Sequence, residues 1–199
     1  MSEAAIVPQG VVEEWKLPSR GIVGMACLIL AEAAIFIIFV VAYLFYEGKS
    51  ISGPTPHDVL ELPIFTSICL LSSSLTVHFA GSALHKGARG LCSLWLAATV
   101  LLGGIFLAGT GMEWYHLIYR EGLTIRTNLF GTTFYSLVGL HATHVILGLF
   151  MLSLCLFFSL RGQLGSGKDM ERLEVISLYW HFVDAVWVVV FLVVYVFGR

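Results

Sequence analysis

Glu32 lies inside an unbroken apolar run from Gly21 to Tyr46. Placing a charge near a bilayer centre costs about 2.5–3.5 kcal/mol on insertion scales. A carboxyl at that depth needs protein, headgroup or water beside it, or it is carried protonated, and by default it marks a functional site. Other ionisable groups come in pairs. His181 and Asp184 stand at i and i+3, so they can reach each other or share a partner on a neighbouring helix. Such a pair serves either as a buried hydrogen bond that fixes helix register or as a proton or lipid-headgroup site. His141 and His144 repeat the spacing. Two histidines so placed can ligate a metal, but a catalytic site needs at least a third protein ligand at matching depth. His181 could supply it only if the fourth and fifth apolar segments adjoin. Gly139, Thr143 and Gly148 surround the histidines with small residues, which favours close helix contact and a histidine donating across it. Glu113 and His116 spell E-x-x-H. A di-iron bundle needs two such motifs and two more glutamates on one level, and this chain has a single copy. Trp180 and Trp187, seven apart, suit packing or interface anchoring.

The elements that position these groups follow from composition. The chain is 58% apolar and 12% charged, with a mean hydropathy of +0.89. Soluble domains carry about 25% charged residues. A span needs about 20 mostly apolar residues. Five segments qualify, at about 21–46, 64–84, 91–118, 129–160 and 175–197. The runs are long and do not alternate, so they predict helices rather than barrel strands. The expected fold is an all-α membrane protein, a five-transmembrane-helix bundle over 21–199 behind a polar segment 1–20. That segment carries Glu13 and Glu14, unlike a cleavable signal. Gly53, Pro54, Pro56 and Pro63 mark one connection, His85 to Gly90 a tight basic turn, and residues 161–174 a polar, Gly-rich loop. The net charge of −2 leaves no footprint for nucleic acid. Cys27, Cys69, Cys92 and Cys155 all fall inside spans without C-x-x-C spacing and read as small buried residues.

Lys and Arg set the orientation. Lys16, Arg20, Lys86, Arg89, Arg161, Lys168 and Arg172 fall on the N-terminal side; Lys49, Arg120, Arg126 and Arg199 fall on the other. The positive-inside rule then predicts a cytoplasmic N-terminus and a periplasmic C-terminus. At a rise of about 1.5 Å per residue, Glu32 lies ~16 Å from the cytoplasmic end of its span, Asp184 ~14 Å, and His181 and His78 ~9 Å. His144 falls near the midplane, whereas Glu113 is only ~8 Å from the outer face and forms a separate group with His116.

No histidine set for two haems and a copper is present, nor a C-x-x-x-C copper motif, a P-loop or a nucleophile elbow. No catalytic residue and no metal ligand is assigned, and any redox centre would belong to a partner.

The last span carries Trp180-His181-Phe182-Val183-Asp184-Ala185-Val186-Trp187, which resembles the W-H-F-V-D-x-V-W string of subunit III of the haem–copper respiratory oxidases. Gly139 to Gly148 resembles that family's G-x-H-x-x-H-V-x-x-G string. Arg20-Gly21 with Ala31-Glu32, Phe134-Tyr135, Gly111 to Tyr115, and Glu61-Leu62-Pro63 agree in order, the last two closest to the quinol-oxidase branch. The resemblance covers about residues 18–198. It lacks the first two spans of the mitochondrial form, as shorter bacterial forms do. Gly81-Ser82 stands where the family often has a histidine pair, with His78 a turn earlier.

The resemblance implies a subunit without haem or copper in a bacterial plasma (inner) membrane. It would pack directly on subunit I, which holds the haem and copper, with subunit II and a small subunit IV in the same complex. It would bind phospholipid in an interhelical cleft, support proton uptake by the catalytic subunit and protect it during turnover. Glu32 matches the family's carbodiimide-reactive glutamate. Glu32, His144, His181 and Asp184 are accordingly expected at a lipid cleft or in proton-uptake support. Arg20, His78, Glu113, His141, Trp180 and Trp187 are expected in structural or interface roles. The alternatives are a subunit-III-like accessory protein of a nitric oxide reductase, and a stand-alone proton channel or transporter. The second lacks the inverted repeat and broken helices of transporters.

Overall fold

A computed structural model describes residues 19–50, 53–60, 62–164 and 167–198. Most of the expected segment 1–20, along with Glu61 and Arg199, lies outside the described residues. The elements are α1 (Arg20–Tyr46), α2 (Pro56–Val59), α3 (Ile64–His85), α4 (Arg89–Tyr119), α5 (Leu129–Leu160) and α6 (Gly167–Phe191), which runs on into a π-helical turn at Leu192–Phe197. α1, α3, α4, α5 and the combined Gly167–Phe197 element are long and apolar enough to cross a membrane. Among the described residues there is no strand.

Local chemistry sets the helix ends. The Ser19 hydroxyl accepts from the Ile22 amide at 3.3 Å and opens α1. The Asn128 side chain accepts from the Gly131 amide at 2.8 Å and opens α5, while its Nδ2 donates to the Pro54 carbonyl at 3.0 Å and ties down the first long connection. At the end of α3 the amide of Ala88 reaches back to the Ala83 carbonyl at 2.9 Å around Gly87, whose φ of 73° is the left-handed conformation glycine adopts freely. This tight reversal makes α3 and α4 antiparallel neighbours.

The polar stretch after α5 is shorter than its composition suggests, because helix resumes at Gly167. Asp169 in the first turn complements the helix dipole and pairs with Arg172 at 3.1 Å, while Leu173 is buried. Hydropathy marks where apolar sequence begins, and this amphipathic lead-in turn precedes that point.

α3 packs most extensively against α4, which packs on α5, and α5 on α6; α6 closes against α3, and α1 lies across α5 and α6. α1 is therefore the edge helix. It contributes only Phe36 and Tyr43 to the fully buried set, and Leu30, Ile37, Ile38 and Phe45 face outward.

The centre of the bundle is the indole of Trp180, with no exposed surface. A Cβ added at Gly148 of α5 would sit 2.7 Å from the Trp180 Cε3, and one at Gly103 of α4 would sit 3.0 Å from its Cη2. The two glycines thus form a slot for the ring. Its Nε1–H donates to the Ser73 hydroxyl of α3 at 2.8 Å, so one side chain joins three helices to α6. Trp187 repeats the device two turns on, donating to Ser67 at 3.0 Å.

Candidate functional site

Two polar groups cross the bundle on opposite sides of α6. On the α1 side, Glu32 meets His144 of α5, with His144 Nε2 3.2 Å from Glu32 Oε2. The other ring nitrogen, Nδ1, lies 2.8 Å from the Leu140 carbonyl. A carbonyl oxygen can only accept, so Nδ1 carries a hydrogen. Nε2 and the carboxyl then share one proton, either as imidazolium with carboxylate or as neutral imidazole with carboxylic acid. The Phe36 ring lies 4.9 Å from the imidazole, and the Tyr179 ring is stacked with it at 6.5 Å. His144 is nearly enclosed, but about a quarter of the Glu32 side chain is open (26%). One turn away an apolar recess of about 270 Å³ runs between Phe36, Ile37 and Val40 of α1 and Phe182, Val186 and Val189 of α6.

On the α3 side, His181 and Asp184 share a partner. The Ser74 hydroxyl lies 3.0 Å from His181 Nδ1 and hydrogen-bonds the Asp184 Oδ2. A hydroxyl has one hydrogen. If it goes to the carboxylate, Nδ1–H must donate to Ser74, which makes a one-way run from His181 through Ser74 to Asp184. Asp184 is buried, and its Oδ1 has no partner among the described residues. His181 faces a groove of about 550 Å³ between α3 and α6 that also holds His78. At the mouth of this groove His85 pairs with Glu174 at 3.0 Å.

The remaining candidates separate. His141 is fully buried with neither ring nitrogen hydrogen-bonded among the described residues; it lies 5.0 Å from Trp187 in a stacked arrangement, with Phe106 on its edge. α5 and α6 do adjoin. Even so, His144 turns to α1, His181 turns to α3, and His141 stays between aromatic rings. Among the described residues no group of three His, Cys, Asp or Glu side chains comes together to hold a metal. Arg20 opens α1 and is exposed. Glu113 accepts from the buried Tyr195 hydroxyl, while His116 is exposed.

Sequence reasoning passed over the serines. Ser67, Ser73 and Ser74 accept from two tryptophans and bridge the His181–Asp184 pair. The available signal was the Ser72-Ser73-Ser74 run inside an apolar span, since small hydroxyls there favour interhelical hydrogen bonds.

The family model described as cytochrome c oxidase subunit III matches residues 18–199. A cytochrome c oxidase subunit 3 from Synechocystis is 38% identical over 181 residues, covering 89% of this chain and 76% of the relative. A cytochrome bo(3) ubiquinol oxidase subunit 3 from Pseudomonas aeruginosa is 35% identical over 178 residues, covering 88% and 84%. A cytochrome c oxidase subunit 3 from Bacillus subtilis is 32% identical over 169 residues, covering 84% and 81%. The matched region takes in every helix that carries the two polar groups, and the chain belongs to the cytochrome c oxidase subunit III family.

Proposed function

We propose that this chain forms the metal-free flank of a haem–copper terminal oxidase in a bacterial plasma membrane, with its N-terminus in the cytoplasm. It packs directly on subunit I, which carries haem and copper, with subunit II and a small subunit IV in the same complex. It steadies that subunit, seats phospholipid and supports its proton uptake. Oxygen reduction to water takes place in the partner. The observation that carries this reading is the family match across residues 18–199. The lipid role is supported by the edge of α1, where the partly open Glu32–His144 pair adjoins a recess with wholly apolar walls. A headgroup N–H or O–H can reach the carboxyl while an acyl chain follows Phe36 and Val40.

Affinity purification through a tag on this chain tests the assembly. The expected result is a complex with a haem spectrum that consumes oxygen. Comparing reduced cytochrome c with ubiquinol as donor then assigns it to one of the two classes named among the relatives. Recovery of the chain without haem, or specific proton flux through vesicles containing this chain alone, would refute the reading.

Glu32→Gln keeps size and hydrogen-bonding capacity. The variant should assemble with normal haem content and lose carbodiimide labelling at α1, as read by peptide mass spectrometry. Labelling that persists elsewhere on α1, or loss of haem, would contradict the assignment.

A further inference from the structure

The groove between α3 and α6 carries polar groups down its length. The His85–Glu174 pair stands at its mouth. Seven residues further into the bundle along each helix, ~10 Å, stand His78 and His181. Ser82 of α3 and Ser177 of α6 line the stretch between them. A Cβ added at Gly81 would meet nothing within 4 Å, so the groove is open at that level. A recess of about 550 Å³ with imidazoles and hydroxyls at one-turn intervals is polar and roomy enough to admit water.

His181 forms the inner end of the groove. Its Nδ1 is engaged by the Ser74 hydroxyl at 3.0 Å, which leaves Nε2 for the groove. Behind Ser74 lies the buried Asp184 carboxyl. Among the described residues Ser74 alone hydrogen-bonds that carboxyl, since Oδ1 has no partner. A proton passing from the groove to Asp184 along hydrogen bonds therefore crosses His181 and Ser74. The other titratable groups on the packed helices lie apart from this run. α3 brings His78 and His85, with Lys86 after them, and α6 brings Glu174, all along the groove. α5 brings His141, behind Trp187, and His144, which pairs with Glu32 of α1 on the opposite side of α6.

We propose that His181, Ser74 and Asp184 form a reversible one-proton store, loaded from water in the α3–α6 groove. A proton enters at His181 Nε2. The Nδ1 hydrogen passes to Ser74 Oγ, and the hydrogen already on Ser74 passes to Asp184 Oδ2. The imidazole ends neutral, the hydroxyl keeps one hydrogen, and the carboxylate becomes a neutral acid. The hydrogen bonds then point the other way, from Asp184 to Ser74 and from Ser74 to Nδ1, so the same route returns the proton. The store deepens the proton-uptake role proposed above, and it rests on that reading for the cytoplasmic side of the groove and for the partner it serves.

The test follows the Asp184 carboxyl by time-resolved infrared spectroscopy of the full chain in its native membrane complex, after a downward step in pH. Wild type should gain a carboxylic C=O band that Asp184→Asn lacks. His181→Gln can still hydrogen-bond Ser74 but cannot pass a proton, and should slow the rise of that band about a hundredfold, the worth of a positioned proton-transfer group. Ser74→Ala should slow it likewise, and Ser74→Thr, which keeps the hydroxyl, should restore most of the rate. A band indifferent to pH would overturn the proposal, and so would an unchanged rate in both His181→Gln and Ser74→Ala. The readout is the carboxyl and not oxygen consumption. Failure of the oxidase assignment would therefore leave the band response intact, whereas an active oxidase with a silent Asp184 would overturn the store alone.

Discussion

Trp180→Ala is expected to lower the thermal stability of the assembled protein in detergent more than any other single change in the bundle. The ring has no exposed surface and fills a slot made by two glycines on different helices. Removing it leaves a cavity that the backbones of α4 and α5 can close only in part, at a cost of about 3–5 kcal/mol for a large aromatic residue. The same change strips the Ser73 hydroxyl of its donor. Trp180→Phe loses the N–H and leaves a smaller cavity, so its smaller loss combines about 1 kcal/mol for the hydrogen bond with a reduced cavity cost. The glycines provide an independent check. Gly148→Leu alone should lose nearly as much as Trp180→Ala, because its Cβ collides with the indole. Together the two substitutions should cost less than their sum, since the new side chain enters the space vacated by the ring. Thermal unfolding monitored by thiol accessibility of the buried cysteines Cys69 and Cys92 reads each variant. Additive losses would show that the slot is not the determining contact.

The second large effect is expected at Ser74, ahead of either charged-type partner. Deleting its hydroxyl leaves both Asp184 oxygens and the His181 Nδ1 without a protein donor or acceptor. Stranding a buried polar group costs about 1–3 kcal/mol, and here two groups are stranded. Asp184→Ala is milder, because Ser74 can turn and donate to the His181 Nδ1 once the imidazole changes tautomer. Asp184→Asn should be milder still. The expected order of midpoint loss is therefore Ser74→Ala, then Asp184→Ala, then Asp184→Asn, measured on complexes purified with equal haem content. An order in which Asp184→Ala is worst would mean that Ser74 does not relay between the two. Loss of haem with assembly intact would place Asp184 in contact with the redox subunit rather than in this internal network.

Five helices long and apolar enough to cross a membrane were legible from hydropathy alone. Glu32, His144, His181 and Asp184 stood out because each is costly in an apolar run. Their partners did not stand out, because a partner depends on how far each helix is rotated about its axis. Glu32 and His144 are 112 positions apart, and nothing in their local spacing connects α1 with α5. Spacing alone also suggested that His141 and His144 might act together. In the fold one turns outward to α1 while the other stays between aromatic rings. Ser74 was passed over for a different reason: a hydroxyl is cheap in a helix, so the Ser72–Ser74 run points to an interhelical hydrogen bond without naming its partner. The π-helical turn at Leu192–Phe197 leaves no mark in composition, since Leu-Val-Val-Tyr-Val-Phe suits an ordinary α-helix equally well.

The tie between His144 Nδ1 and the Leu140 carbonyl also bears on how a carboxyl and an imidazole coexist in lipid. With that hydrogen fixed, moving the shared proton across the 3.2 Å gap converts a zwitterion into two neutral groups, and both arrangements sum to zero charge. The bilayer therefore sees no monopole in either arrangement. The transmembrane voltage acts only on a short dipole, so its grip on the pair is weak and the local dielectric decides which arrangement prevails.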